Sequence, residues 1–205
     1  MKMTDSLNPW QKGGTGMENI MIVSSSEKGT TFFSDILTPM SACQITAVKS
    51  CGEARRILMD RDFDLVIVDS PLRDETGESF ARHVASNGIT QVILVVKKEL
   101  YEEMASACER DGILTVAKPI NKYVFWSALS LARAAHNRIK KVHSENTQLK
   151  QKIEDIRIVD RAKCLLISLL GMSEKEAHRY LEKQAMDMRI TKREVAERIL
   201  NTYEN

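Results

Sequence analysis

Leu65-Val66-Ile67-Val68-Asp69-Ser70-Pro71-Leu72 is the stretch on which the fold turns. Four aliphatic residues run without alternation, and an aspartate ends them. A strand with one buried face alternates apolar and polar residues. An unbroken apolar run belongs to a strand covered on both faces, the normal state of a parallel sheet flanked by helices. Open parallel sheets bind ligands beyond the carboxyl ends of their strands, which is where Asp69 falls.

Working outward, the same pattern repeats. Upstream, residues 20–23 read as a strand, the stretch through Phe32, Phe33, Ile36 and Leu37 as a helix, and residues 45–48 as a second strand. Residues 52–60 read as a helix, with Ala54, Ile57 and Leu58 on one face. Downstream come a helix at 76–86, a strand at 92–96, a helix at 99–110, a strand at 113–116 and a helix from Asn121. Five βα units in about 115 residues predict an α/β domain with a doubly wound, five-stranded parallel sheet. Its strand ends carry Ser24, Ser25 and Ser26, then Asp69, Lys97 and Lys118.

After about residue 136 no strand-like run returns. Ile139, Asn146 and Ile153 fall at heptad position a, and Val142, Leu149 and Ile156 at d. This predicts a coiled-coil helix and a homodimer. A lone Asn at a fixes register at some cost in stability. Glu145 and Lys150 would attract across the seam, whereas Lys152 and Arg157 would repel. The register runs backward through Phe125, Ala128, Ala132 and Ala135, and breaks at Asp160.

A small three-helix bundle is expected from there. Helix one carries Ala162, Leu165, Leu166, Leu169 and Leu170 on one wide apolar face and stops at Gly171. Ser173 with Glu176, and Thr191 with Glu194, are capping-box patterns that start helices two and three. Helix two carries Ala177, Leu181, Gln184, Ala185 and Met188; helix three carries Val195, Ala196, Ile199, Leu200 and Tyr203. The expected domains are therefore a leader or expression remnant at 1–16, an α/β domain at 17–136, a coil at 137–159 and a bundle at 160–205.

Composition excludes several classes. The 205 residues are 43% hydrophobic and 28% charged, ordinary values for a globular chain. The longest purely apolar run, 92–96, is far short of the ~20 residues that span a bilayer. Four cysteines, at 43, 51, 108 and 164, form no CxxC and no zinc spacing. They are expected to be free and mostly buried, as in a reducing cytoplasm. No P-loop, GxGxxG or nucleophile–base pairing suggests an enzyme. The net charge of +2 conceals an asymmetry. Residues 132–205 hold 16 Lys+Arg against 11 Asp+Glu, a net +5, while residues 1–131 come to −3. A basic half points toward nucleic acid or an acidic partner.

Asp69 at the end of the third strand, Gly77 in the loop that follows, and Lys118-Pro119 after the fifth resemble the receiver domain of two-component response regulators. The resemblance covers residues 18–136. It implies that Asp69 is the phosphoacceptor position and that Lys118 pairs with phosphoryl oxygens. It also implies an acidic pair holding Mg²⁺, but those positions fall on Ser24 and Ser25. Serine hydroxyls are poor replacements for the hard carboxylate ligands that Mg²⁺ prefers. Val96 stands where a Thr or Ser is usual, and Thr115 where an aromatic switch is usual. The expectation is a degenerate receiver with no cofactor and no metal, in which Asp69 and Lys118 form an ion pair closing the sheet. The further partner expected is a sensor kinase or an RNA polymerase context.

Asp160-Arg161-Ala162-Lys163, Leu165-Leu166, Gly171-Met172-Ser173-Glu174, Glu176-Ala177, Leu181, Gln184-Ala185-Met186-Asp187 and Glu194-Val195-Ala196 resemble the ANTAR domain over residues 140–203. His178 departs from the pattern, since an aromatic commonly follows that alanine. The resemblance implies a cytoplasmic regulator whose dimer binds hairpin loops in nascent RNA and prevents transcription termination. Loops are read through unstacked bases and backbone shape. The RNA-binding candidates are Arg161, Lys163, Lys175, Arg179, Lys183, Arg189, Lys192 and Arg193 for phosphates, with His178 and Tyr180 for stacking. Two rival readings remain: a DNA-binding response regulator, and a non-enzymatic scaffold whose basic face holds an acidic protein.

Overall fold

The computed structural model describes residues 17–38, 43–86 and 88–203. The expected leader at 1–16 lies outside the described residues. The elements run β1 (Asn19–Ser24), α1 (Glu27–Leu37), β2 (Gln44–Val48), α2 (Cys51–Asp60), β3 (Leu65–Asp69), α3 (Glu78–Ala85), β4 (Gln91–Lys97), a single 3₁₀ turn (Lys98–Leu100), α4 (Tyr101–Glu109), β5 (Leu114–Lys118), α5 (Lys122–Leu170), α6 (Glu174–Met188) and α7 (Lys192–Tyr203). They form two compact units, Met1–Lys141 and Val142–Asn205. The division falls inside α5, between the residue numbers expected for the ends of the α/β domain and the coil.

In the first unit the five strands pair in the order β2-β1-β3-β4-β5, all parallel. The apolar runs explain the order. All five residues of β3 are buried, as are six of the seven in β4 and five of the six in β1. The mixed patterns of β2 and β5 belong to the edges. Successive side chains alternate between faces. Met21, Val23, Val66, Val68, Leu94 and Val96 therefore meet Phe80, Ala81 and Val84 of α3. Ile20, Ile22, Leu65, Ile67, Ile93 and Val95 meet Phe33, Ile36 and Leu37 of α1 and the first turns of α5.

Those first turns correct the seam. Phe125, Ala128 and Ala132 are buried in the core of the first unit, and the Phe125 ring lies 5.3 Å from that of Phe33. Burying a phenylalanine side chain contributes about 1.5–3 kcal/mol. The backward extension of the heptad is thus occupied within its own domain and is unavailable to a partner helix. His136, fully buried, ends this stretch with Nε2 3.3 Å from Asp64 Oδ1 and Nδ1 3.4 Å from the Ile89 carbonyl. Beyond it, Val142, Leu149, Ile153 and Ile156 are each more than half exposed.

In the second unit, Ala162 and Leu166 of α5 pack with Ala177, Leu181 and Ala185 of α6 and with Val195, Ala196, Ile199 and Leu200 of α7. Both capping boxes are present. Ser173 Oγ accepts from the Glu176 amide while Glu176 accepts from the Ser173 amide, and Thr191 with Glu194 repeats this. Several expected core positions lie outside. Leu169, Leu170, Met188 and Tyr203 are 56%, 49%, 43% and 46% exposed. Two short helices cover only one stripe of α5, and its last turn passes that stripe. Cys51 and Cys108 are buried and Cys43 partly so, but Cys164 is exposed; all four are free thiols.

Candidate functional site

At the sheet's carboxyl end, register brings Ser24 opposite Asp69 and Lys97 opposite Lys118. Asp69 is only 7% exposed, and both its oxygens are engaged. Ser24 Oγ donates to Oδ2 at 2.7 Å, and Lys118 Nζ lies 2.6 Å from Oδ1. The same ammonium donates to the Ser70 carbonyl at 2.6 Å. Ser24 can donate its one hydroxyl proton to the carboxylate, a charge-assisted bond, and accept from the Ser26 amide at 3.3 Å. Ser26 is the N-cap of α1, its side chain accepting from the Gly29 amide. The three serines thus divide into a buried carboxylate donor, Ser24, a partly buried neighbour, Ser25, and a cap.

Gly29 was not singled out in the sequence. A Cβ there would collide with Asp69 Oδ2 and lie 2.6 Å from Ser24 Oγ. A glycine in the first turn of a helix, where it costs about 1 kcal/mol against alanine, is the signal that could have found it.

The donors at this mouth are the Asp69 carboxylate and the Ser24 hydroxyl. One carboxylate faces the mouth, its charge is already met by Lys118, and Ser24 occupies the other oxygen. Mg²⁺ takes a near-octahedral shell of hard oxygens in which ionised carboxylates are the protein's usual ligands.

The second unit sorts the ten RNA-binding candidates by their partners. Lys163 is bound by Asp160 at 2.8 Å and Glu174 at 3.1 Å, and these two carboxylates push its ammonium above its ordinary range. Lys192 lies 2.6 Å from Glu182, with His178 Nε2 3.2 Å from the same oxygen; Lys192 foremost holds Glu182 below the usual carboxylate range. Arg193 reaches Glu197 at 2.8 Å and Asp155 at 2.6 Å, and both raise it. Lys163, His178, Lys192 and Arg193 line a cleft of about 660 Å³ together with Asp155 and Asp160. Each of the three cations is met by a carboxylate, from the cleft or beside it. Arg161 is exposed on α5.

Lys175, Arg179 and Lys183 differ. They step by four along one exposed face of α6 and have no carboxylate within ion-pair distance among the described residues. Arg179 and Lys183 line a groove of about 480 Å³ with Tyr180, Leu170 and Met172. Tyr180 is 38% exposed and shares this groove with the two cations and with Glu176, whose carboxylate is engaged by Ser173. Arg189 closes α6 in the left-handed region, φ 55°, as the only non-glycine residue there among those described. The sequence placed all ten residues on one basic helical half; it did not separate the paired from the unpaired.

The ANTAR domain family model matches residues 147–200. The chain is 29% identical over 139 residues to the transcriptional regulatory protein PdtaR of Mycobacterium tuberculosis, covering 68% of each protein. It is 25% identical over 111 residues to the aliphatic amidase regulator of Pseudomonas aeruginosa, covering 54% of this chain and 57% of that one. Among solved structures, the signal receiver domain of an HD domain-containing protein from Pseudomonas fluorescens superposes with TM-score 0.52 at 22% identity, covering 65% of this chain and 94% of that one. A response regulator receiver domain from Clostridium thermocellum gives 0.51 at 19% identity, covering 61% and 98%. These two likenesses concern fold. The chain thus joins a unit with the receiver fold to a segment, residues 147–200, that matches the ANTAR domain model.

Proposed function

We propose that this chain is a cytoplasmic antitermination regulator that binds hairpin loops in nascent RNA as a dimer, with a receiver that does not run Mg²⁺-dependent phosphoryl transfer. The observation that carries the RNA reading is the unpaired row Lys175, Arg179 and Lys183 beside the exposed Tyr180 ring. Cations answer the phosphates, and an aromatic face answers an unstacked base. The exposed Val142, Leu149, Ile153 and Ile156 support the dimer, whose seam is proposed to begin after His136. Two linked weak sites raise avidity without any new contact. No helix among the described residues is long and apolar enough to cross a membrane.

The receiver reading rests on Ser24 and Ser25 in place of an acidic pair, and on an Asp69 carboxylate already satisfied by Ser24 and Lys118. A phosphoryl group in transfer carries charge that metal and cation together neutralise. Duplex DNA is disfavoured because a recognition helix reads bases from its N-terminal residues. Here Lys192 and Arg193, at the start of α7, are tied to Glu182, Asp155 and Glu197. A gel shift of the full chain with a stem-loop RNA library against duplex DNA tests the reading. Retention of RNA over DNA is expected; preference for DNA, or binding to neither, overturns it.

A further inference from the structure

A cavity of about 260 Å³ opens beside, not at, the Asp69 mouth. Leu94 and Val96 of β4 are two of its walls, Ser70 and Pro71 a third, and Leu100 with Met104 the side toward α4. Arg82 ties α3 to the end of α4 nearby. Its guanidinium binds Glu78 at the start of α3, the Ala107 carbonyl at the far end of α4, and Asp111 beyond it. This clamp joins α3 to the C-terminal end of α4, and the gap remains at the N-terminal end, where Met104 only partly packs on the core. Val96 makes the wall next to Ser70 apolar where a hydroxyl side chain would have made it polar.

Two charged residues line the cavity, and they are not equivalent. Glu78 is neutralised by Arg82 at 3.1 Å. Lys97 is exposed and has no ion-pair partner among the described residues. An apolar cleft with one free cation on its lining suits a ligand with an apolar body and an anionic head. The volume corresponds to about nine waters at ~30 Å³ each, or an organic acid of on the order of ten heavy atoms.

We infer that this cavity is a binding site for a small aryl or alkyl carboxylate, its apolar part against Pro71, Leu100 and Met104 over the buried Leu94 and Val96, and its carboxylate at Lys97. The site gives the receiver unit a chemical input that needs neither Mg²⁺ nor a phosphoryl group. The inference does not depend on RNA binding by the second unit.

The test is methyl NMR of the full chain titrated with 3-phenylpropionate, and in parallel with uncharged 3-phenylpropanol. Saturable shifts are expected at the Leu94, Val96, Leu100 and Met104 methyls, with the acid binding about tenfold more tightly than the alcohol, as a charged hydrogen bond allows. Lys97→Met should abolish that difference and leave the alcohol unchanged. Met104→Trp should fill the cavity and remove the shifts. Leu100→Trp, at a residue already 44% exposed, should do the same without disturbing the core. No saturable shift at these methyls overturns the site. An acid preference that survives Lys97→Met overturns the ligand class, and binding unchanged in both tryptophan variants overturns the location.

Discussion

The hydroxyl of Ser24 donates to Asp69 Oδ2 at 2.7 Å, from the end of the neighbouring strand and in register with it. With Lys118 on the other oxygen, the aspartate is closed on both sides by its own chain. Intact mass of the full chain after incubation with acetyl phosphate and Mg²⁺ should therefore be unchanged. A gain of about 80 Da that disappears in Asp69→Asn would contradict the proposed loss of Mg²⁺-dependent phosphorylation.

The closed aspartate also depends on Gly29. Its added Cβ would strike Asp69 Oδ2 and crowd Ser24 Oγ, both inside the packed end of the sheet. Gly29→Ala should destabilise the receiver unit by about 1–3 kcal/mol, the usual cost of overpacking. Urea unfolding followed through the first unit measures it. Stability equal to or above that of the parent would mean that the site yields freely.

Acid should loosen the second unit. The backbone amide of Ser173 foremost, then its hydroxyl, hold Glu176 below the usual carboxylate range; Thr191 does the same for Glu194. A carboxylate depressed in the folded state gives stability that is fully present above its unfolded value and is lost as pH falls through the folded one. The Tm of this unit should hold above about pH 5 and fall below about pH 4.5, and Glu176→Gln should flatten that fall. Ser173→Ala, which removes the cap at any pH, should cost about 1 kcal/mol. A Tm rising toward acid would contradict the capping account.

Arg189 occupies a backbone conformation that glycine prefers. Left-handed backbone costs a residue with a Cβ roughly 1–2 kcal/mol. Arg189→Gly should therefore raise stability by about 1 kcal/mol while weakening RNA binding by about one phosphate contact. Denaturant melts and salt titrations on one preparation separate the two effects. A loss of stability would show that the arginine side chain contributes to the fold.

The sheet was legible because each central strand announced itself as an unbroken apolar run, and the helix starts because Ser173–Glu176 and Thr191–Glu194 are local patterns. Contacts between distant residues were less legible. Lys163 is neutralised by Glu174, eleven positions away across the α5–α6 junction, and Arg193 by Asp155, thirty-eight positions earlier. A charge count registers these lysines and arginines as basic surface; only the fold shows that their charge is used. The heptad pattern failed in the same way at Phe125, Ala128 and Ala132, where periodicity gives a helix face but not what covers it. His136, with no apolar pattern to flag it, is fully buried against Asp64.

The most direct test of the central claim is the salt dependence of stem-loop RNA binding by the full chain, its Arg179→Gln/Lys183→Gln variant and a Lys192→Gln control. Each single-strand phosphate contact contributes about 0.7 to the slope of log affinity against log salt. The double variant should lose about 1.4 of slope and most of its affinity, while Lys192→Gln, whose charge already serves Glu182, should stay close to the parent. An unchanged slope in the double variant, or an equal loss in Lys192→Gln, would contradict the assignment of RNA binding to the unpaired face of α6.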